Sequence, residues 1–402
     1  MKTFLKNCNL VDLNKETCEK VSILIEDERI KKIDNSTKLN IDELLTIDLS
    51  GKYVHPGLWD VHTHIGDLIP DPNNYLETET IAEYTIRAGK NTIDGLKKGI
   101  TSIRIVGEDG DVCLAWKKMF KKKGFLGPDI YTARRAISAT GGHGHGTLGA
   151  YEIDGPYEMR KAVRENISKG ADLIKIMVSG GIMTEHEGMQ DSQLTDDEII
   201  AAVELASNRD MIVAAHAWST EGIKKALKCG VRSIEHGLLD DECVDLLLEK
   251  DAYYIPTICQ TQDIGKILES GLPQFMVDKA LSVKEIHLEG FKKAYKAGVK
   301  IACGSDSSPL KEFTHLELKH LNLAGMSIID TLKSGTIVPA KLCGVSNEYG
   351  EIKENFVADI IVLNENPLKN LETVFDPLMV FKNGIKFDEQ YGLTSFEDVY
   401  LN

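Results

Sequence analysis

No run of apolar residues in this chain approaches the roughly 20 needed to cross a bilayer, which argues against a helical membrane protein. Paired cysteine motifs are absent too. The eight cysteines are scattered with no CxxC among them, and several sit inside apolar runs such as Val299-Lys300-Ile301-Ala302-Cys303. They read as free thiols in a reducing compartment and not as a disulfide or zinc-thiolate framework. Positive charge is in short supply: 47 Lys and Arg face 62 Asp and Glu, a formal net charge of −15. Nucleic acid and anionic membranes are therefore poor partners. Met1 to Leu10 lacks the charged-then-apolar pattern of a secretory leader, so a cytoplasmic enzyme is expected. What remains is ordinary globular composition, 42% apolar and 27% charged over 402 residues, enough for a large core and more than one domain.

The two ends share one texture. Short β-like runs fill Phe4 to Pro56, including Val21-Ser22-Ile23-Leu24-Ile25, with polar turns between them. The pattern returns in Asp359-Ile360-Ile361-Val362-Leu363 and in Leu378-Met379-Val380-Phe381, where Asn383-Gly384 predicts a hairpin. These ends are expected to pair into one small β domain. Between them a helix, usually ending at Gly, is followed by a short apolar strand, as in Lys169-Gly170-Ala171-Asp172-Leu173-Ile174-Lys175 and Ala297-Gly298-Val299-Lys300-Ile301. Thr195-x-x-Glu198 is a capping box that starts one such helix. Buried strands alternating with helices predict a parallel α/β sheet, barrel or open, with its chemistry at the strand C-terminal ends.

Asp60-Val61-His62-Thr63-His64 is the strongest single motif. Strand side chains alternate, so His62 and His64 point the same way and suit one metal ion. Lys175 interrupts the apolar strand Leu173-Ile174-Lys175-Ile176-Met177. If it faces a barrel interior, burial lowers its pKa and the neutral amine can add carbon dioxide to form a carbamate. The alternative is a lysine whose head reaches solvent. His216 and His236 each close an apolar strand, and Asp306 follows Ile301-Ala302-Cys303-Gly304-Ser305. For each histidine the plain alternative is a satisfied core residue, and for Asp306 a helix N-cap.

In that order these residues resemble the amidohydrolase superfamily, over almost the whole chain. The resemblance implies a (β/α)8 TIM barrel over residues 56–345, with a small β-sandwich domain made from residues 1–55 and 346–402. It implies the binuclear branch, with Lys175 as N6-carboxylysine. One divalent ion would be held by His62, His64, Lys175 and Asp306, the other by Lys175, His216 and His236, with zinc the usual metal. A bridging hydroxide would attack an amide carbonyl, with Asp306 as general base and acid.

Within that branch, Thr140-Gly141-Gly142-His143-Gly144, the stretch Ile174 to Met183 and Ala214-Ala215-His216-Ala217 are most similar to prolidase-like and Xaa-Arg carboxypeptidase dipeptide hydrolases. By that resemblance His143 sits near the substrate carbonyl, with His145 its rival two residues on, and Trp218 lies in the substrate loop after strand five. The implied substrate is a small molecule, a dipeptide or N-acyl amino acid, and homo-oligomerisation is left open. The rival enzyme reading is a mononuclear deaminase or cyclic-amide (imidazolonepropionase-like) hydrolase on the same barrel. A non-catalytic scaffold is the rival outside enzymes.

Overall fold

The computed structural model describes residues 2–34, 45–66, 78–122, 124–146, 149–263, 265 and 272–387. The N-terminal strands are β1 (Lys2–Asp12), β2 (Thr17–Glu26), β3 (Arg29–Asp34), β4 (Leu45–Asp48) and β5 (Tyr53–Pro56). Val21, Ile23 and Ile25 share one face of β2 and enter a small core with Leu5, Cys8 and Ile30. Leu5 and Cys8 are an odd number apart and should face opposite ways. A bulge between them, with Asn7 at φ 61°, turns both inward.

The chain then enters a parallel barrel. Its strands are β6 (Leu58–Thr63), β7 (Ile100–Ile105), β8 (Asp129–Thr132), β9 (Ala136–Ala139), β10 (Ala150–Ile153), β11 (Ile174–Met177), β12 (Val213–His216), β13 (Ser233–Glu235), β14 (Tyr253–Ile255) and β15 (Lys300–Ile301). They hydrogen-bond as β6-β7-β8 and as β10-β9-β11-β12-β13-β14-β15. One stave is split: β8 pairs with β7, β9 pairs with β11, and left-handed Arg134 (φ 64°) lies at the break. The barrel closes where the Val61 N–H donates to the Cys303 carbonyl at 2.9 Å.

Helices cover the outside, as the alternating sequence predicts. Thr195 and Glu198 form the capping box that starts the helix Asp196–Ser207. Gly170 ends the helix Gly155–Lys169 in the left-handed region at φ 103°, which only glycine adopts cheaply.

The C-terminal strands β16 (Ile360–Leu363), β17 (Met379–Lys382) and β18 (Ile385–Lys386) return to the first sheet. β16 pairs antiparallel with β5, and Asn383-Gly384 makes the predicted hairpin. The small β domain expected from the two ends is thus present as an eight-stranded sheet curled on itself, and an Arg29–Val357 bridge joins β3 to the chain just ahead of β16. Lys382, fully buried, holds this sheet to the barrel through Asp359 and through Asp129 of β8, each at 2.6 Å. Residues 388–402 lie outside the described residues. No helix among the described residues is long and apolar enough to cross a membrane.

Candidate active site

The six residues singled out as ligands gather at one mouth of the barrel. His62 lies in β6, Lys175 in β11 and His216 at the end of β12; His236 follows β13 and Asp306 follows β15. Barrel closure sets the last contact, for the Asp306 N–H donates to the His62 carbonyl at 2.7 Å. Asp306 Oδ1 is 3.1 Å from His62 Nε2 and 3.2 Å from His64 Nε2, and Oδ2 is 3.8 Å from His236 Nδ1. The rings of His62 and His216 each lie 4.8 Å from that of His236. Asp306 is not a helix N-cap: the next helix, Leu310–Leu323, is capped by Pro309.

Three non-glycine residues at these strand ends are left-handed: His236 (φ 65°), Thr257 (φ 48°) and Asp306 (φ 53°). Such conformations cost on the order of 1–3 kcal/mol each and persist where packing over-determines them. At His236 the gain is visible. Neighbouring strand residues face opposite sides, yet Glu235 and His236 both reach His62, because the backbone turns left-handed between them. Gly304 serves the same crowding, since a Cβ there would lie 2.6 Å from His62 Cβ.

Hydrogen bonds assign the ring protons. His62 Nδ1 faces the Glu235 carboxylate at 2.7 Å and His64 Nδ1 faces the Gly107 carbonyl at 2.7 Å. Both acceptors require a proton on Nδ1, which turns the Nε2 lone pairs toward Asp306. His216 is the reverse, with Nε2 donating to the Gly180 carbonyl at 3.3 Å and Nδ1 left as the lone-pair atom. Two lone pairs and a carboxylate oxygen within 4.8 Å of one another repel unless a cation lies among them. The residues present therefore fit a divalent metal ion, and imidazole with carboxylate suits zinc, cobalt, manganese or iron.

Burial shapes the charges. It holds His216 well below the ordinary imidazole range, aided by neighbouring His143 and His236. His236 is likewise low, mainly through burial. Lys175, 1% exposed, is pulled down to about 8 by burial, against the carboxylates of Glu235 and Asp306. Burial would raise Asp306, but the His62 and His236 imidazoles outweigh it and keep the carboxyl well below its usual range.

The other expectations divide. His143 stacks on His216 with ring centroids 4.1 Å apart, whereas His145 is exposed and pairs with Glu152 at 2.8 Å. Trp218, expected in the substrate loop, packs behind the site. Its side chain is buried, 2% exposed, and lies flat on His236 at 5.3 Å, packed among Met189, Leu238 and Val283.

Sequence reasoning missed a supporting set. Glu235 binds His62 on one oxygen and Arg104 on the other, at 2.7 Å each, with all three side chains buried. Asp60 accepts from the Ser305 and His62 N–H groups, 3.1 Å each, and from Thr314 Oγ1 at 2.8 Å. Glu108 accepts from the Ile65 N–H at 2.8 Å and from the Tyr84 hydroxyl. The available signal was the one used for Lys175, a charge inside an apolar strand: Ile103-Arg104-Ile105 and Ile234-Glu235 both carry it.

A parallel barrel with imidazoles and a carboxylate converging at its strand ends is the architecture of a metal-dependent hydrolase. The chain belongs to the amidohydrolase family, whose model matches residues 53–386. Enzymes of this family generally use divalent metal ions. Ochratoxinase of Aspergillus niger is 31% identical over 355 residues, which cover 81% of this chain and 73% of that protein. A Xaa-Pro dipeptidase solved with methionine in its active site is 31% identical at a TM-score of 0.89, covering 96% of this chain and 100% of that one. A prolidase complexed with N-methylphosphonate-L-proline is 29% identical at a TM-score of 0.88, again covering 96% and 100%. The chain is thus a hydrolase of carbon–nitrogen bonds, similar to prolidase-like amidohydrolases.

Proposed function

We propose that this protein hydrolyses the amide bond of a dipeptide or an N-acyl amino acid. The observation that carries the proposal is the convergence of His62, His64 and His236 on Asp306, with Lys175 buried in the same barrel. In this reading His62, His64, Lys175 and Asp306 hold one divalent ion, zinc by preference, and Lys175, His216 and His236 hold a second. Lys175, as a carbamate, would supply an anionic oxygen ligand to each. Bound there, the ions would acidify a water toward neutral pH and polarise the substrate carbonyl. Asp306 takes the proton of the attacking water and returns it to the leaving amine. His143, stacked on His216, faces the substrate and not the ions. The division into a barrel over 56–345 and a composite β domain from 1–55 and 346–402 belongs to the same reading. Similarity to proteins named prolidase, Xaa-Pro dipeptidase and ochratoxinase supports an amide substrate of this size.

A single-ion enzyme is the second reading. It is favoured by the fact that, among the described residues, His62, His64 and Asp306 bring three ligand atoms within 4.8 Å of one another. Metal analysis of the purified chain, with a screen of dipeptides and N-acyl amino acids in the presence of zinc, separates the two. Two ions per chain and a carbamate at Lys175 support the first; one ion and a free amine support the second. Asp306→Ala should lower turnover by about 10²- to 10⁴-fold. Wild-type hydrolysis by that variant would end both readings.

A further inference from the structure

Glu187 lies in the loop that follows β11, the stretch 178–194, and its side chain is 8% exposed. One oxygen meets His143 Nδ1 and accepts the Gly181 N–H at 3.0 Å; the other accepts from Gln193 Nε2 at 2.6 Å. Gln193 returns to the same histidine, since its Oε1 accepts the His143 backbone N–H at 2.8 Å. His143 is thus held by ring and backbone from one loop. Its ring face lies on His216, and a Cβ at Gly181 would fall 2.3 Å from His143 Cε1, so the ring occupies a fitted slot.

The loop is itself anchored. Lys279, on the helix Gln274–Ala297, donates to the carbonyls of Gly181 (3.2 Å), Thr184 (2.5 Å) and Glu187 (2.7 Å). All three ammonium protons are used on this one segment.

From this constellation we infer that Glu187 is a positioning residue for the substrate-side histidine. It commits Nδ1 of His143 to a carboxylate, so that only Nε2 is offered to the bound amide, and Lys279 keeps the loop bearing Glu187 in register. A buried carboxylate behind a working imidazole fixes ring orientation and tautomer, the arrangement that makes such partners matter to rate. The inference rests on the reading of His143 as a group that acts on substrate.

A double-mutant cycle tests it on the zinc-loaded enzyme, with kcat, KM, metal content and melting temperature measured for His143→Ala, Glu187→Ala and the pair. Glu187→Ala should lower kcat about 10- to 100-fold with KM and metal content little changed. In the His143→Ala background the same change should cost nothing further, because there is no ring left to hold. Glu187→Gln keeps an oxygen for Nδ1 and should recover most of the turnover. If Glu187→Ala does not fold, Glu187→Leu, which keeps the bulk but offers no acceptor, carries the cycle in its place. Losses that multiply in the double variant, an unchanged kcat, or loss of bound metal would each overturn the positioning role. Unchanged turnover in His143→Ala would instead overturn the reading of His143 itself.

Discussion

Glu235 Oε2 and His62 Nδ1 lie 2.7 Å apart in the buried interior of the barrel, and Arg104 holds the other Glu235 oxygen at the same distance. Burial works to raise this carboxyl, but Arg104 and His62 outweigh it and keep it ionised, far below the usual range. The carboxylate fixes the proton of His62 on Nδ1 and so aims Nε2 at Asp306.

Removing that carboxylate has two separable effects. Glu235→Ala leaves the Arg104 guanidinium buried without its charge partner, an expected loss of about 3–5 kcal/mol in denaturant unfolding. Metal titration should also weaken by about 10- to 100-fold as His62 loses its orienting acceptor. Unfolding and metal affinity both at the wild-type level would show that the pair is a bystander.

Lys175 is testable by chemistry rather than by loss alone. Lys175→Ala should abolish turnover and reduce the bound metal. Under the two-ion reading, short carboxylic acids such as propionate should restore part of the activity, because they would supply carboxylate oxygens in the space left by the side chain. Under the single-ion reading the same variant stays active and the acid does nothing. Activity against added propionate concentration distinguishes these outcomes.

Trp218 should act through stacking. Trp218→Ala removes a buried ring lying flat on His236 and is expected to cost about 3–5 kcal/mol of stability. Trp218→Phe retains an aromatic face and should keep most of the metal affinity. Equal metal affinity in both variants would separate the ring from the function of His236.

A pH effect on stability is expected from Glu317, which is fully buried. Burial pushes its carboxyl up to about 8, against the N–H groups of Ile258 (3.0 Å) and Cys259 (2.8 Å), which favour the ionised form. A folded-state pKa above the unfolded value of 4.5 means the native chain keeps a proton the unfolded chain has released. This contribution is complete below pH 4.5 and fades as pH rises toward about 8. Its slope is at most roughly 1.4 kcal/mol per pH unit. Melting temperatures measured from pH 5 to 9 should fall more steeply in the wild type than in Glu317→Gln; parallel curves would place the pH dependence elsewhere.

The fold was legible where local patterns carry it. Gly170 after a helix, the Thr195–Glu198 capping box and the Asn383-Gly384 hairpin depend on near neighbours, and each forms as its sequence predicts. The six candidate ligands were legible because histidine, lysine and aspartate at the ends of apolar strands leave few structural explanations.

By itself, then, the sequence determined the alternation of strands and helices, the β texture of both ends and the side chains available for metal chemistry, since all are written in short-range spacing. The tertiary structure alone decided what meets what. Only barrel closure brings Asp306 to His62 across 244 residues of chain, and only the left-handed turn at His236 lets neighbouring residues touch one imidazole. Glu187 finds His143 from 44 residues away, and the same folding lays Trp218 flat on His236. No residue spacing encodes those distances, because they arise from packing the parallel strands into a closed ring.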